Sequence, residues 1–366
     1  MIWGILSQTV LSILSGCANV AMILWCGSQG PPPFRSYLFM NERLWNRGLI
    51  ATAAWVAIVS AISVWLAWNA SPDLASRVSV AALTPIVAAA ITSYSLRILR
   101  FHYFLSRSNI AITLPGTAVV QMVGFALSVT PGHVGEVFKL HLIRERAGTP
   151  VVQTAPLLLL DRLTEGGGFL LLATTASLML PSQIKQTPVS VALVVGIGLV
   201  CMFALTRNHW FRYIASIRSL LLKWRWGRGV LPHLQNLWRG LNVSFTPRQI
   251  LGGLLFSVLA RFADGLVVLF AARVVGVDLT LPTAVFVLAV SGLAGGLSFL
   301  PAGTGAVETA MVGLLLALGS TLPNALAISL LARLATLWLW VALGLGIAFL
   351  LRWLDIHSRS REEDRL

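Results

Sequence analysis

The sequence is short of charge. Only 11% of its 366 residues are Asp, Glu, Lys or Arg, whereas a soluble domain carries about one quarter. Acids are the scarcest, 13 against 27 Lys and Arg. A chain this poor in surface-forming residues cannot cover a water-exposed sphere, which excludes a soluble enzyme and a DNA-binding protein. Cysteine is scarce too. Cys17, Cys26 and Cys201 all lie in apolar stretches, with no metal-ligand or disulfide spacing, and a disulfide-stapled secreted module is excluded with them. No Walker A loop, HExxH, GxSxG or paired-Asp arrangement occurs, so neither nucleotide-driven nor hydrolytic chemistry is expected. No cofactor and no metal are implied.

Apolar runs fill the space. Hydrophobic residues make up 57% of the chain, and mean hydropathy is +0.81. A hydrocarbon core about 30 Å thick needs roughly 20 apolar residues per helix. Seven stretches meet that length: 2–26, 48–68, 78–96, 151–180, 188–206, 249–275 and 324–352. Two more, 111–143 and 281–320, are interrupted by Pro and Gly near their middles. The expected class is an all-α polytopic membrane protein forming one transmembrane domain over 1–366.

Loop charge arbitrates the topology, because Lys and Arg collect in cytoplasmic loops. Basic residues cluster in 27–47, 97–110, 139–146 and 207–248; the last carries eight cations and no acid. With those loops inside, 111–143 enters and leaves by the cytoplasmic face and is re-entrant. The same bookkeeping starts 281–320 outside and returns it there. Seven spans plus two re-entrant segments result, with the N-terminus outside and a cytoplasmic tail over 353–366. The net charge of +14 then reads as attraction to anionic lipid at the cytoplasmic face rather than to nucleic acid. Within 207–226, Trp210, Trp224 and Trp226 among cations fit either a helix lying in the inner headgroup layer or an ordinary basic loop. Leu14-Ser15-Gly16-Cys17 imitates a lipoprotein cleavage box, but no Lys or Arg precedes it, so it reads as part of an uncleaved first helix.

The interrupted segments resemble each other. One reads Thr130-Pro131-Gly132-His133-Val134-Gly135-Glu136 and continues to Gly148, Ala155 and Asp161-Arg162; the other reads Leu300-Pro301-Ala302-Gly303-Thr304-Gly305, then Glu308, Gly319, Ala325 and Ala332-Arg333. Fourteen residues separate Gly148 from Arg162, and fourteen separate Gly319 from Arg333. The expected repeats span about 111–180 and 281–352. With opposite starting faces they are inverted, a recurrent design of secondary transporters whose site lies between the repeats.

Each residue type in these segments has a stated chemistry and a plainer alternative. A Pro-Gly break at membrane depth frees backbone amides, and the helix restarting after it aims its positive end at the break. That makes an anion site, or a packing kink. Glu136 and Glu308, in the first turns of the restarted helices, either complement the dipole or act as gating or proton-linked carboxylates. Glu136 can also pair with Lys139. His133 titrates near neutrality or is structural. Arg162 and Arg333 lie about ten residues into their helices, roughly 15 Å deep. Each needs a partner: a lipid phosphate, or an acid such as Asp161 or Glu165 for Arg162. Arg261 and Asp264 are spaced for an ion pair of their own. Arg333 has no acid in its own helix, so its partner is remote or a ligand.

The stretch from Gly124 through Thr130–Glu136 to Asp161-Arg162, with Leu300–Gly305 and Glu308, resembles the membrane domain of lysylphosphatidylglycerol synthases, which also occurs in stand-alone flippase-like proteins. Glu165 stands where a nearer Asp is common in that family. The resemblance implies a lipid translocase in the cytoplasmic (inner) membrane, binding a phospholipid or lipid-linked headgroup through Arg162, Arg333, Glu136, Glu308, His133, Asp161, Glu165 and the Pro131, Gly132, Gly135, Pro301, Gly303 and Gly305 backbone. The chain closes on Ser358-Arg359-Ser360-Arg361-Glu362-Glu363-Asp364, and the synthetic domain of the bifunctional members is expected to be absent. Alternatives are a non-transporting scaffold for a lipid-modifying enzyme, and an intramembrane enzyme using His133, Glu136 and Asp161. Oligomeric state stays open, because Gly292, Gly295 and Gly296 serve packing within one chain as well as between chains.

Overall fold

A computed structural model describes residues 79–129, 134–180, 245–298 and 300–350. The expected spans 2–26, 48–68 and 188–206, nearly all of the basic stretch 207–248, the tail 353–366 and residues 130–133 (with Pro131, Gly132 and His133) lie outside the described residues. What is described is helical: α1 (Val80–Arg107), α2 (Leu114–Leu127), α3 (Val134–Ala147), α4 (Val151–Leu178), α5 (Pro247–Val275), α6 (Leu281–Leu297), a 3₁₀ turn (Pro301–Gly303), α7 (Ala306–Ala317) and α8, which runs Leu322–Leu350. Among the described residues, α1, α5 and α8 are long and apolar enough to cross a membrane. The 28-residue α4 has the length but carries Asp161, Arg162 and Glu165.

Threonine followed by proline starts most of these helices. Thr113, Thr246 and Thr280 cap α2, α5 and α6 by accepting the amides of Gly116, Gln249 and Thr283. Pro115, Pro247 and Pro282 follow at the first or second helical position, where a missing N–H costs nothing. Thr149-Pro150 and Thr321-Leu322-Pro323 precede α4 and α8 in the same style.

The order short helix, break, short helix, glycine corner, long helix occurs twice, in α2–α3–α4 and in α6–α7–α8. The glycine corners are Gly148 at φ +63° and Gly319 at φ +88°, a left-handed backbone that side-chain-bearing residues avoid. The four short helices have 14, 14, 17 and 12 residues, or about 18–26 Å at 1.5 Å per residue. None matches a core about 30 Å thick. Each pair folds back on itself: the Arg146 side chain near the end of α3 lies beside Gly116 at the start of α2, and Val307 of α7 lies against Gly295 of α6.

α1 and α5 run antiparallel, with the Tyr103 hydroxyl donating to the Arg248 carbonyl at 2.9 Å. α4 runs parallel to α5, with Thr164 against Gly253 and Gly168 against Ser257. The apolar interior is divided. One core joins Phe101, Phe104 and Leu105 of α1 with α2, α3, the first half of α4 and the second half of α8. Another joins Ile86, Ala89 and Ala90 of α1 with the second half of α5, α6, α7 and the first half of α8. A third, smaller core packs the second half of α4 on α6.

Two loop assignments are corrected. Residues 97–107 continue α1, and 139–146 belong to α3, rather than forming loops. Arg100 and Lys139 are buried. They look like loop cations only because the acids and rings they meet come from distant parts of the chain. Of the glycine-rich face, Gly292 seats Phe169 and Gly295 seats Val307, whereas Gly296 has open space.

Gly344 sets how closely α8 approaches α2: a Cβ there would lie 2.2 Å from the Met122 carbonyl oxygen, whereas one on Gly346 would meet nothing within 4 Å. Gly344→Ala is expected to lower stability by about 1–3 kcal/mol. Gly346→Ala should leave it unchanged or raise it by up to about 1 kcal/mol. Thermal unfolding of both variants in detergent micelles measures the contrast.

Candidate functional site

Between the cores lies a lattice of ion pairs. α1 contributes Arg97 and Arg100 between Ala90, in one core, and Phe101, in the other. α4 contributes Asp161, Arg162 and Glu165 just beyond Leu160. α5 contributes Ser257, Arg261 and Asp264 just before Val267. The spacings are helical: Arg97 and Arg100, and Arg261 and Asp264, are i,i+3 pairs, and Asp161 and Glu165 are an i,i+4 pair, so each helix turns its charges to one side.

Arg100 Nε donates to Asp161 Oδ1 at 2.8 Å, and Arg100 Nη1 donates to Ser257 Oγ at 2.6 Å. Arg97 Nη2 donates to Asp264 Oδ2 at 2.5 Å, and Arg261 Nη1 reaches the same oxygen at 2.9 Å. Glu165 is the hub. It accepts from Arg261 Nη2, accepts from Arg162 Nη1 at 3.1 Å, and lies 3.8 Å from Arg100 Nη2. The Arg261 guanidinium also lies over the Phe169 ring at 4.3 Å. Buried guanidiniums at this depth are tolerable because each is paired.

Two properties make the lattice more than a staple. Four guanidiniums, Arg97, Arg100, Arg162 and Arg261, meet in it, each a planar donor fork that suits an anion. Access is also graded: side-chain exposure falls from 46% at Arg162 to 17% at Glu165 and 6% at Arg261. Inside, Arg97 Nε, Arg261 Nε and Asp264 Oδ1 are buried without a hydrogen-bond partner. Such an array places Glu165 between the accessible Arg162 and the buried Arg261.

The second repeat carries a smaller cluster. Arg333 Nε donates to Glu308 Oε1 at 2.6 Å, and its Nη2 donates to the Ala302 carbonyl at 3.2 Å. Glu308 Oε2 in turn accepts the Gly305 amide at 2.7 Å, which caps the start of α7. Ala302, Gly303 and Gly305 all have positive φ, at 50°, 65° and 88°. One guanidinium thus ties α8 to the break itself and to the first turn of α7. A cleft of about 640 Å³ opens where α1 meets α2, lined by His102, Ser106, Asn109 and Thr113 among others.

Several expected residues fall into place, and others lie elsewhere. Asp161, Arg162 and Glu165 share one lattice, but Asp161 pairs with Arg100 rather than with its neighbour Arg162. Arg261–Asp264 forms the pair its spacing predicts. The remote partner of Arg333 is Glu308. These two sets come from different repeats and do not bond to each other in any contact described. Gly135 lies in the first turn of α3 and Glu136 beside it; the Glu136 side chain, like that of Pro301, is outside the described residues. Reading the charges as loop cations missed Arg97 and Arg100. The signal was present: Ile98, Leu99, Phe101, Phe104 and Leu105 keep that stretch apolar at helical spacing. Among the described residues no group of three His, Cys, Asp or Glu is arranged to hold a metal ion.

Among known families, the lysylphosphatidylglycerol synthase TM region matches residues 52–344. No curated protein matches the chain.

Breaking the innermost pair has a testable cost. Asp161→Ala leaves Arg100 buried without its carboxylate, and an unfolding free energy lower by about 3–5 kcal/mol is expected. The double variant Arg100→Met/Asp161→Leu should recover most of it. Denaturant unfolding in micelles, run as a double-mutant cycle, gives the coupling directly.

Proposed function

We propose that this chain, which belongs to the lysylphosphatidylglycerol synthase TM-region family, is a lipid translocase that moves a phospholipid or lipid-linked headgroup across the cytoplasmic membrane. The family places it in the membrane in a lipid-related role. The narrower reading rests on one observation, the guanidinium-rich lattice that grades from exposed Arg162 to buried Arg261. A lipid phosphate suits the planar fork of arginine, while its acyl chains stay in the bilayer.

In this mechanism a headgroup arrives at the basic face, guided by Arg107, Arg144 and Arg146 near the α1–α2 cleft. Its phosphate takes the place of Glu165 on Arg162, and Glu165 keeps Arg261. The short hairpins α2–α3 and α6–α7 are re-entrant and mutually inverted, and they open the site to one side and then the other. Arg333 and Glu308 hold the second break shut until the headgroup competes for the guanidinium. Support for the inverted topology comes from the helix directions: α1 antiparallel to α5 and α4 parallel to it are the relations that loop charge demands. The N-terminus is outside, and the chain performs no covalent chemistry itself. The drive is a gradient, a proton or the lipid imbalance.

The test is headgroup accessibility in proteoliposomes holding fluorescent anionic or zwitterionic phospholipid. Wild type should move at least one of them. Arg162→Ala and Arg333→Ala should each slow it at least tenfold, with Arg162→Lys intermediate, because a point charge lacks the fork. Unfolding curves establish that each variant is folded. No movement of any lipid by folded wild type overturns the reading in favour of a scaffold; turnover of a lipid-linked substrate that His133→Ala abolishes would point to an enzyme instead.

A further inference from the structure

α8 is not uniform along its length. It is α-helical over Leu322–Arg333, widens to a π-type turn over Leu334–Trp338 and returns to α-helix over 339–350. The widening is marked by the Leu339 amide, which donates to the Leu334 carbonyl five residues back. The Thr336 hydroxyl donates to the Ala332 carbonyl at 2.7 Å. Back-bonding of this kind bends helices and occupies an acceptor that the loosened ladder would otherwise share.

The position of this turn is what gives it meaning. Ala325, Ile328, Leu331, Ala332 and Ala335 pack with α5, α6 and α7, whereas Leu337, Trp338, Val341, Leu345 and Ala348 pack with α2, α3 and the end of α1. The helix changes register at the point where it leaves one core for the other. Each half is anchored to its own partners. Arg333 grips the Ala302 carbonyl and Glu308 on one side, and Trp340 stacks on Tyr94 with centroids 4.0 Å apart on the other.

α4 likewise passes between cores, from Leu160 in the first to Leu172 in the third. There it carries Gly166-Gly167-Gly168. Three glycines in mid-helix weaken it by about 1 kcal/mol each relative to alanine. Gly167 and Gly168 are held against Leu254 and Ser257 of α5, but a Cβ on Gly166 would meet nothing within 4 Å. No packing requires that third glycine.

We infer that the π-turn Leu334–Trp338 and the Gly166–Gly168 run form one hinge plane, about which the α2–α3 half and the α6–α7 half rock against each other. The ion lattice borders the glycine run, with Glu165 directly before Gly166, so rocking changes access to Arg162 while the inner pairs persist. Sharp helix bends concentrate at π-bulges and glycine runs. The hinge deepens the translocase reading by naming its moving part, and its role in transport rests on that reading.

The experiment is a pulsed-dipolar distance measurement on the full chain in nanodiscs of mixed anionic and zwitterionic phospholipid. Spin labels go on Leu114→Cys (α2) and Leu316→Cys (α7), both exposed, with Cys17, Cys26 and Cys201 changed to Ser. Two populated distances are expected. Gly166→Ala, which stiffens α4 without a clash, and Thr336→Val, which removes the hydroxyl that supports the wide turn, should each shift their ratio about fivefold, the weight of one net hydrogen bond. Thr336→Ser should leave it unchanged. A single narrow distance that neither folded variant alters overturns the hinge, even if lipid crosses in vesicles. Two distances that shift as expected sustain it, even if no lipid crosses and the translocase reading falls.

Discussion

A guanidinium in a bilayer must have a partner, and the rest of this structure follows from that constraint. Arg100 and Arg261 are buried and Arg97 is only partly exposed, so Asp161, Glu165 and Asp264 must be brought to them, mostly from other helices. That requirement fixes how α1, α4 and α5 register against one another more tightly than apolar packing does. Leucine and valine faces slide past each other with little penalty, whereas a displaced Asp161 leaves a buried charge. Glycines at 168, 252 and 253 let the helices come close enough for the pairs to form, and Tyr103, Phe104 and Ser257 fill the space those glycines leave.

The lattice also divides the interior. Apolar clusters lie on either side of it, each with its own helical hairpin, and the long helices α1, α4 and α8 pass from one to the other. A polar layer between two apolar ones is a natural plane of weakness, because ion pairs can exchange partners at short range while a close-packed core cannot deform gradually. The second hairpin is tied to α8 by Arg333, which holds both the backbone of the break and the acid that caps α7.

Much of this was legible in the sequence. The boundaries of α4, α5 and α8 follow from the apolar runs, and the breaks in 111–143 and 281–320 from Pro and Gly. The matched spacing from Gly148 to Arg162 and from Gly319 to Arg333 foreshadows the two glycine corners. Arg261–Asp264 is readable from i,i+3 spacing, and Glu308 from its first-turn position. Residues 97–107 were misread because a helix carrying unpaired arginines looks like a basic loop until its acids are known. Those acids are 61 and 167 residues away, and no local rule connects them. The recurrent Thr-Pro helix start was a local signal that went unused.

Composition and periodicity alone determined that this chain is helical, membrane-embedded and interrupted at two related places. Those properties depend on the hydrophobic effect and on backbone hydrogen bonding, which act residue by residue. Only the tertiary structure decided which arginine meets which acid, that Glu165 rather than Asp161 holds Arg162, and that α8 widens where it changes cores. Pairing of charges is a property of positions in space, and a linear pattern does not encode the distance between helices that the chain separates.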